Sequence, residues 1–207
     1  MNEKLYQRHF RIINEHVDQA LVDMQEGGEK ISCGPGCSYC CHLLVEISED
    51  EADALADWFF CQAAKTQQLV WQRLISKSGV LREFFSSRRA TQKFITPYPA
   101  HIDIPQGVFT RYFSEVAAPC PFLEDGRCVA YEHRPGACRL HMVSSAPELC
   151  APCCDDDSLY HLPPRVEQLR REVLEALPDP EVTVLFGELS ILVRAAIEKR
   201  LAETHFG

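Results

Sequence analysis

None of the 207 residues belongs to an unbroken apolar run of about 18, the length a membrane-spanning helix would need. The opening stretch, MNEKLYQRHFRIINEHVDQALVDM, scatters charges among its apolar residues. It lacks both an apolar central segment and a small-residue cleavage site, so no secretory signal is expected. Basic charge is also in short supply, with 21 Lys and Arg against 30 Asp and Glu and a net charge of −9. Non-specific nucleic-acid binders usually carry a basic face. Arg88-Arg89 and Arg170-Arg171 are too short to make one, so nucleic acid is not an expected partner. Nucleotide-binding glycine loops, serine-nucleophile elbows and H-E-x-x-H patterns are missing as well. The expectation is a cytoplasmic chain that makes no use of a membrane.

Cysteine, by contrast, is abundant, at 11 residues. With 46% hydrophobic and 25% charged residues, the composition is that of an ordinary globular protein. A chain of this length buries enough surface to fold without covalent staples. In a reducing compartment, cysteine-rich patterns bind metal more often than they form disulfides, and the odd number of cysteines points the same way.

Hydrophobic spacing predicts a mainly α fold: one helical domain over residues 1–207, with irregular cysteine-rich metal-binding loops and room for a small hairpin. The cysteine-rich core is expected over about 30–155, with N- and C-terminal helical segments packed on it. Leu5, Ile12, Ile13, Val17, Ala20, Leu21 and Met24 follow helical spacing over 3–25, and Gly27-Gly28 ends that run. Ser48 followed by Glu51 reads as a capping box, opening a helix that runs towards residue 77. Gly79 is expected to interrupt it, with a second helical piece over 81–94. The proline-rich TPYPAHIDIPQG reads as irregular structure, and 108–118 fits either a short strand or a helix. Further helices are expected over 165–177 and 184–203.

The cysteines fall into groups. Cys33, Cys37, Cys40 and Cys41 lie in ISCGPGCSYCCH, where short spacings let a loop wrap one ion and glycine permits close backbone approach. Thiolates select zinc, copper(I) or iron–sulfur centres over calcium or magnesium. Adjacent side chains diverge, so Cys40 and Cys41 do not readily serve one ion, and more than one metal is expected. Cys120, Cys128 and Cys138 form a second group. The EDG turn signal suggests that Cys120 and Cys128 face each other across a hairpin. The interval between the groups is too long for a self-contained zinc ribbon, so a shared site would join distant parts of the fold. Cys150, Cys153 and Cys154 make a third set that echoes the spacing of Cys37, Cys40 and Cys41.

The combination of CGPGCSYCC at 33–41 with CPFLEDGRCVAYEHRPGACR at 120–139 resembles the YkgJ-like family, described as zinc- or iron-chelating CxxxCxxCC-domain proteins. The likeness covers roughly residues 30–140. It implies that Cys33, Cys37, Cys40, Cys41, Cys120, Cys128 and Cys138 are the metal-binding set. Some members are loosely labelled iron–sulfur oxidoreductases. A related domain occurs in the bacterial flagellin lysine-methylating enzyme, but nothing beyond the cysteines carries methylation over to this chain.

His42, His133 and His141 are lesser ligand candidates, and Cys61, beside Phe59 and Phe60, is expected in the core. Arg127, Arg134 and Arg139 could offset thiolate charge or simply pair with Glu124, Asp125 or Glu132. Asp155-Asp156-Asp157 reads as a solvated turn. The function expected is a metal-binding protein holding zinc or iron, with a 4Fe-4S cluster as one form of the iron. Its partner would be a protein or a small molecule. The alternative is an iron–sulfur or iron-dependent oxidoreductase. A catalytic metal keeps an open coordination position, and the surplus of thiolates weighs against that.

Overall fold

The computed structural model describes residues 5–34, 36–87, 95–97, 106–151, 162–176 and 185–205. These residues are mainly helical. Helix α1 spans Leu5–Glu26 and stops in a Schellman turn. Gly28, at φ +74, donates to the Gln25 carbonyl (3.3 Å), and Glu29 donates to that of Met24 (2.8 Å). Helix α2, Glu49–Phe60, carries the capping box at Ser48 and Glu51. Three acidic residues, Glu49, Asp50 and Glu51, in its first turn complement the helix dipole.

Beyond α2 the structure departs from expectation. The break falls at Cys61–Ala63 rather than at Gly79, and helix α3 runs unbroken from Ala64 to Ser87. Side-chain chemistry accounts for the early stop. Gln67 Nε2 donates to the Gln62 carbonyl (2.8 Å) and to that of Phe60 (3.3 Å), occupying acceptors that α2 leaves open. Mid-helix Gly79 costs only about 1 kcal/mol relative to alanine, which the buried Val70, Leu74, Leu81 and Phe85 of the same helix outweigh. Cys61 is exposed at the end of α2, not in the core. Its neighbours Phe59 and Phe60 suggested burial, but it stands one residue past the last turn of α2.

The ambiguous 108–118 stretch is helical, as α4 over Gln106–Glu115. A short helix α5, Gly136–Arg139, follows, then α6 over Pro164–Ala176 and α7 over Leu189–His205. The expected helix over 184–203 therefore begins late. Residues Leu185–Glu188 form a strand, β5, between β1 (Glu46–Ser48) and β2 (Ile95–Pro97), both antiparallel to it. So Thr96 and Pro97, expected as irregular, belong to an edge strand, where a proline is tolerated because it need not donate to a neighbour. The expected helical residues 88–94 lie outside the described residues.

The hairpin is present. Strands β3 (Leu123–Glu124) and β4 (Arg127–Cys128) are joined by Asp125 at φ 47 and Gly126 at φ 75. Two consecutive positive φ values make the primed turn that suits strand twist. Phe122 anchors the hairpin by meeting Trp58 of α2 edge-on at 5.6 Å.

Three apolar clusters hold the elements. Residues of α2, α3 and α7 pack with Ile47 and Phe122 in the first. Met24 and Ile13 of α1 pack with Val166, Leu169 and Val173 of α6 in the second. Phe84, Phe85 and Tyr112 join α3 to α4 in the third. Gly136, at the head of α5, sits where α1 and α2 converge. A Cβ there would stand 2.9 Å from Ile13 Cδ1 and 3.4 Å from Glu51 Oε1. Gly136→Ala is therefore expected to destabilise the chain by about 1–3 kcal/mol through overpacking. A urea midpoint unchanged from wild type would show that Ile13 gives way freely.

Candidate metal centre

Each cysteine reaches the centre from a different local structure. Cys33 lies in the loop after α1. Ser32 ties this loop to the far side of the chain, its N–H donating to the Val143 carbonyl (2.9 Å) and its Oγ to that of Ser144 (3.0 Å). Cys37 follows Gly36, whose φ of +92 lies where a side chain would be strained. Cys37 donates its N–H to the Gly34 carbonyl (3.0 Å). Cys40 and Cys41 occupy the 3-10 turn Tyr39–His42, which contains no buried apolar side chain and is held by short-range bonds such as Cys41 N–H to Ser38 C=O (3.0 Å). Cys120 is set by the turn before the hairpin, Cys128 by β4, and Cys138 by α5. One bond joins the two sequence groups directly: Cys120 N–H donates to the Cys41 carbonyl at 2.7 Å.

All seven thiols implied by the family likeness are half-buried, and their charges act on one another. Cys33 lies in the field of Cys37 and Cys40. Cys41 lies in that of Cys40, Cys120 and Cys138. Cys138 feels Cys120, Cys40 and Cys128. Residues 33–41 and 120–138 thus come together in space, although the long interval between them gave no sign of it.

The protonation pattern has physical causes. Burial pushes the Cys120 thiol up to about 11, with the Lys77 charge and the Phe122 N–H pulling the other way. Burial also raises Cys138, Cys128 and Cys33. Cys40 and Cys41 share a thiol–thiol hydrogen bond that favours charge on Cys40 and disfavours it on Cys41. Buried thiols crowded by other sulfurs resist ionising unless a cation is at hand.

Backbone donors are nonetheless aimed at sulfur. Val143 N–H reaches Cys33 Sγ at 3.3 Å, Phe122 N–H serves Cys120, and Ala130 N–H serves Cys128. Hydrogen bonds to the charged form favour it, which is the arrangement a metal thiolate needs. Donor chemistry thus fits a thiophilic metal or an iron–sulfur cluster. Among the described residues, no three His, Cys, Asp or Glu side chains are arranged to hold an ion as they stand. Closure around a metal would require the thiols to turn towards a common centre.

The arginines separate into distinct roles. Arg134 lies 3.7 Å above the Tyr131 ring, with its Nε donating to the Tyr131 carbonyl (3.2 Å). Its charge favours the thiolate at Cys33, Cys40 and Cys128. Arg139 donates to the carbonyls of Arg134 (3.0 Å) and Glu132 and lies over Phe10, with a smaller influence on Cys128. Arg127 is exposed on β4 opposite Glu124. Of the histidines, His42 donates from Nδ1 to the Ala117 carbonyl (2.9 Å), which leaves Nε2 as the acceptor. His133 is exposed, and His141 is half-buried with its proton affinity lowered by burial and by Arg170.

Cys150 ends the 3-10 turn Pro147–Cys150, which packs against the Tyr39–His42 turn. The remaining predicted ligands, Cys153 and Cys154, lie outside the described residues, as do Asp155, Asp156 and Asp157. Sequence reasoning missed three charged residues around the centre. Glu51 accepts from the Gly136 N–H at 2.7 Å, while Lys77 and Glu188 form a buried pair whose charges bear on Cys120. Glu51 was legible only as a capping residue, because its second oxygen bonds a residue 85 positions away. No feature of the sequence pointed to Lys77 or Glu188.

No family model, curated protein or solved structure matches the chain. The likeness to the YkgJ-like proteins thus rests on the two cysteine motifs alone.

Proposed function

We propose that the protein binds zinc or iron, the latter as an ion or an iron–sulfur cluster, through the thiolates of Cys33, Cys37, Cys40, Cys41, Cys120, Cys128 and Cys138, with Cys150, Cys153 and Cys154 as further donors. The observation that carries this reading is the meeting of thiols from residues 33–41 and 120–138, with backbone N–H groups directed at three of the sulfurs. The YkgJ-like motifs point the same way. Because the sites would join distant segments, metal-binding free energy becomes folding free energy. Free thiols in this number suit a reducing compartment, and we place the protein in the cytoplasm. No helix among the described residues is long and apolar enough to cross a membrane.

Purification without oxygen, elemental analysis and a visible spectrum test the reading together. Stoichiometric zinc with no colour, or iron and sulfide with a reducible visible band, would each support metal binding and select the metal. A chain that keeps neither metal and takes up neither overturns it. Cys37→Ser is expected to lower both metal content and melting temperature, since metal-binding free energy is folding free energy here. Cys61→Ala, at an exposed helix end, should leave metal content unchanged and serves as the control.

A further inference from the structure

Where α3 meets α4 and the junction of β5 with α7, polar side chains are buried among apolar ones: Lys77, Ser78, Glu188, Ser190 and Tyr112. Buried polar atoms are almost always hydrogen-bonded, and several of these are. Ser78 Oγ donates to the Leu74 carbonyl (2.6 Å) and lies 3.3 Å from that of Ser190. Glu188 Oε2 accepts from the Ser190 N–H (2.8 Å) and from the Ser190 hydroxyl. Glu188 Oε1 and the Tyr112 hydroxyl, however, have no hydrogen-bond partner among the described residues. Lys77 Nζ stands 3.6 Å from Oε1, too far for a direct N–H to oxygen bond.

Packing brings these three atoms to one place. Lys77, Leu81, Phe84 and Phe85 share a face of α3 by helical spacing. Phe85 stacks on the Tyr112 ring at 6.2 Å, and Phe84 meets it edge-on at 5.5 Å. Ile191, three residues beyond Glu188, packs in the same cluster. Tyr112 is thus held against the face of α3 that carries Lys77, and the Glu188 charge acts on its hydroxyl. The Ala118 N–H lies near the phenol oxygen, which still leaves the O–H itself without an acceptor.

We infer that this seam is a binding site for one enclosed water molecule, which accepts from the Tyr112 hydroxyl and the Lys77 ammonium and donates to Glu188 Oε1. A polar contact slightly too long for a direct bond is where a water bridge belongs, and about three hydrogen bonds are usual for a buried water. Neutral water suits the seam better than an ion does, since a cation would oppose Lys77 and an anion would oppose Glu188. One enclosed molecule bridges the ion pair without admitting bulk solvent to it. The site contains none of the thiols and does not depend on a bound metal. Its bearing on the candidate centre runs through Lys77, whose charge favours the Cys120 thiolate and whose ammonium the water would hold in place.

The test is a crystal structure of the full chain, purified without oxygen and carrying whatever metal it retains, at a resolution that shows ordered water. One isolated density peak is expected within hydrogen-bonding distance of Tyr112 Oη, Lys77 Nζ and Glu188 Oε1. Tyr112→Phe supplies a second measurement in solution, because its ring keeps the contacts with Phe84 and Phe85. Its melting temperature should fall by about 2–4 °C, the shift that loss of one net hydrogen bond produces in a chain of this length. A seam with no such peak, or a Tyr112 hydroxyl bonded straight to Glu188, would overturn the inference. So would a Tyr112→Phe variant that melts at or above the wild-type temperature, since deleting an unpartnered hydroxyl relieves a buried polar group. Each of those results would leave the metal-binding reading untouched, and a chain without metal would leave the water site untouched.

Discussion

Replacing Lys77 with methionine is expected to lower the folding stability of the chain by about 3–5 kcal/mol, the cost of leaving a buried charge without its partner. Lys77 and Glu188 are 3% and 2% exposed, with Nζ 3.6 Å from Oε1. The other carboxylate oxygen accepts from the Ser190 N–H at 2.8 Å and from the Ser190 hydroxyl. Without the ammonium, Oε1 would lose its ion-pair partner, deep between α3, β5 and α7. A typical domain has only about 5–15 kcal/mol of stability in total, so the variant should unfold at markedly lower urea. Lys77→Met with Glu188→Met should recover most of the loss, because a buried pair replaced by apolar side chains of similar volume is often neutral or better. Recovery separates the cost of the orphaned charge from a general intolerance of substitution at the seam. A single variant within about 1 kcal/mol of wild type would mean that water reaches Glu188. The double variant has a second use. It removes the Lys77 and Glu188 charges that act on Cys120, so its metal affinity reports their net influence on that thiol, apart from folding.

Elements with a local cause were the ones that could be read from the sequence. The end of α1 follows from Gly27-Gly28, the start of α2 from Ser48 and Glu51, and the hairpin from Asp125-Gly126. Each depends on residues within five positions of one another. The three-stranded sheet could not be read in this way. Its strands are three or four residues long, too short to show alternation, and they lie far apart in sequence. Leu185–Glu188 also merges into the apolar pattern of α7. The same divide runs through the candidate centre. Sulfur spacing singled out ten cysteines, but the meeting of the seven that the family likeness also covers depends on contacts such as Cys120 to Cys41 and Val143 to Cys33, each spanning more than about a helix length and so invisible to periodicity. Cys61 shows the opposite failure. Its neighbours Phe59 and Phe60 suggested burial, yet one residue past a helix end turns a side chain out to solvent.

Glu51→Ala is expected to cost about 2–4 kcal/mol and to loosen Cys138 at the same time. The Glu51 carboxylate closes the capping box, accepting from the Ser48 N–H at 2.9 Å and the Ser48 hydroxyl at 3.3 Å. Its other oxygen accepts from the Gly136 N–H at 2.7 Å. Loss of a cap costs roughly 0.5–2 kcal/mol, and an orphaned buried N–H about 1–3 kcal/mol. Relief of a desolvated carboxylate offsets part of the sum. That relief has a pH signature. Burial holds the Glu51 carboxyl above its ordinary 4.5, so it binds its proton more tightly folded than unfolded. Its contribution is therefore most favourable below pH 4.5 and fades as pH rises through the higher folded-state value. Stability of the alanine variant relative to wild type should accordingly improve as pH is raised from 4 to 7, and a difference that stays flat across that range would contradict a desolvated Glu51. Because Gly136 opens the turn that presents Cys138, the variant should also bind metal more weakly than its lost stability predicts. Glu51→Gln can still accept from Gly136 through its amide oxygen, but its amide nitrogen cannot accept from the Ser48 N–H. If it restores metal affinity while leaving the helix start weakened, Glu51 positions Cys138 through Gly136 rather than through the cap. Equal loss of affinity in both variants would place the effect in the capping box instead.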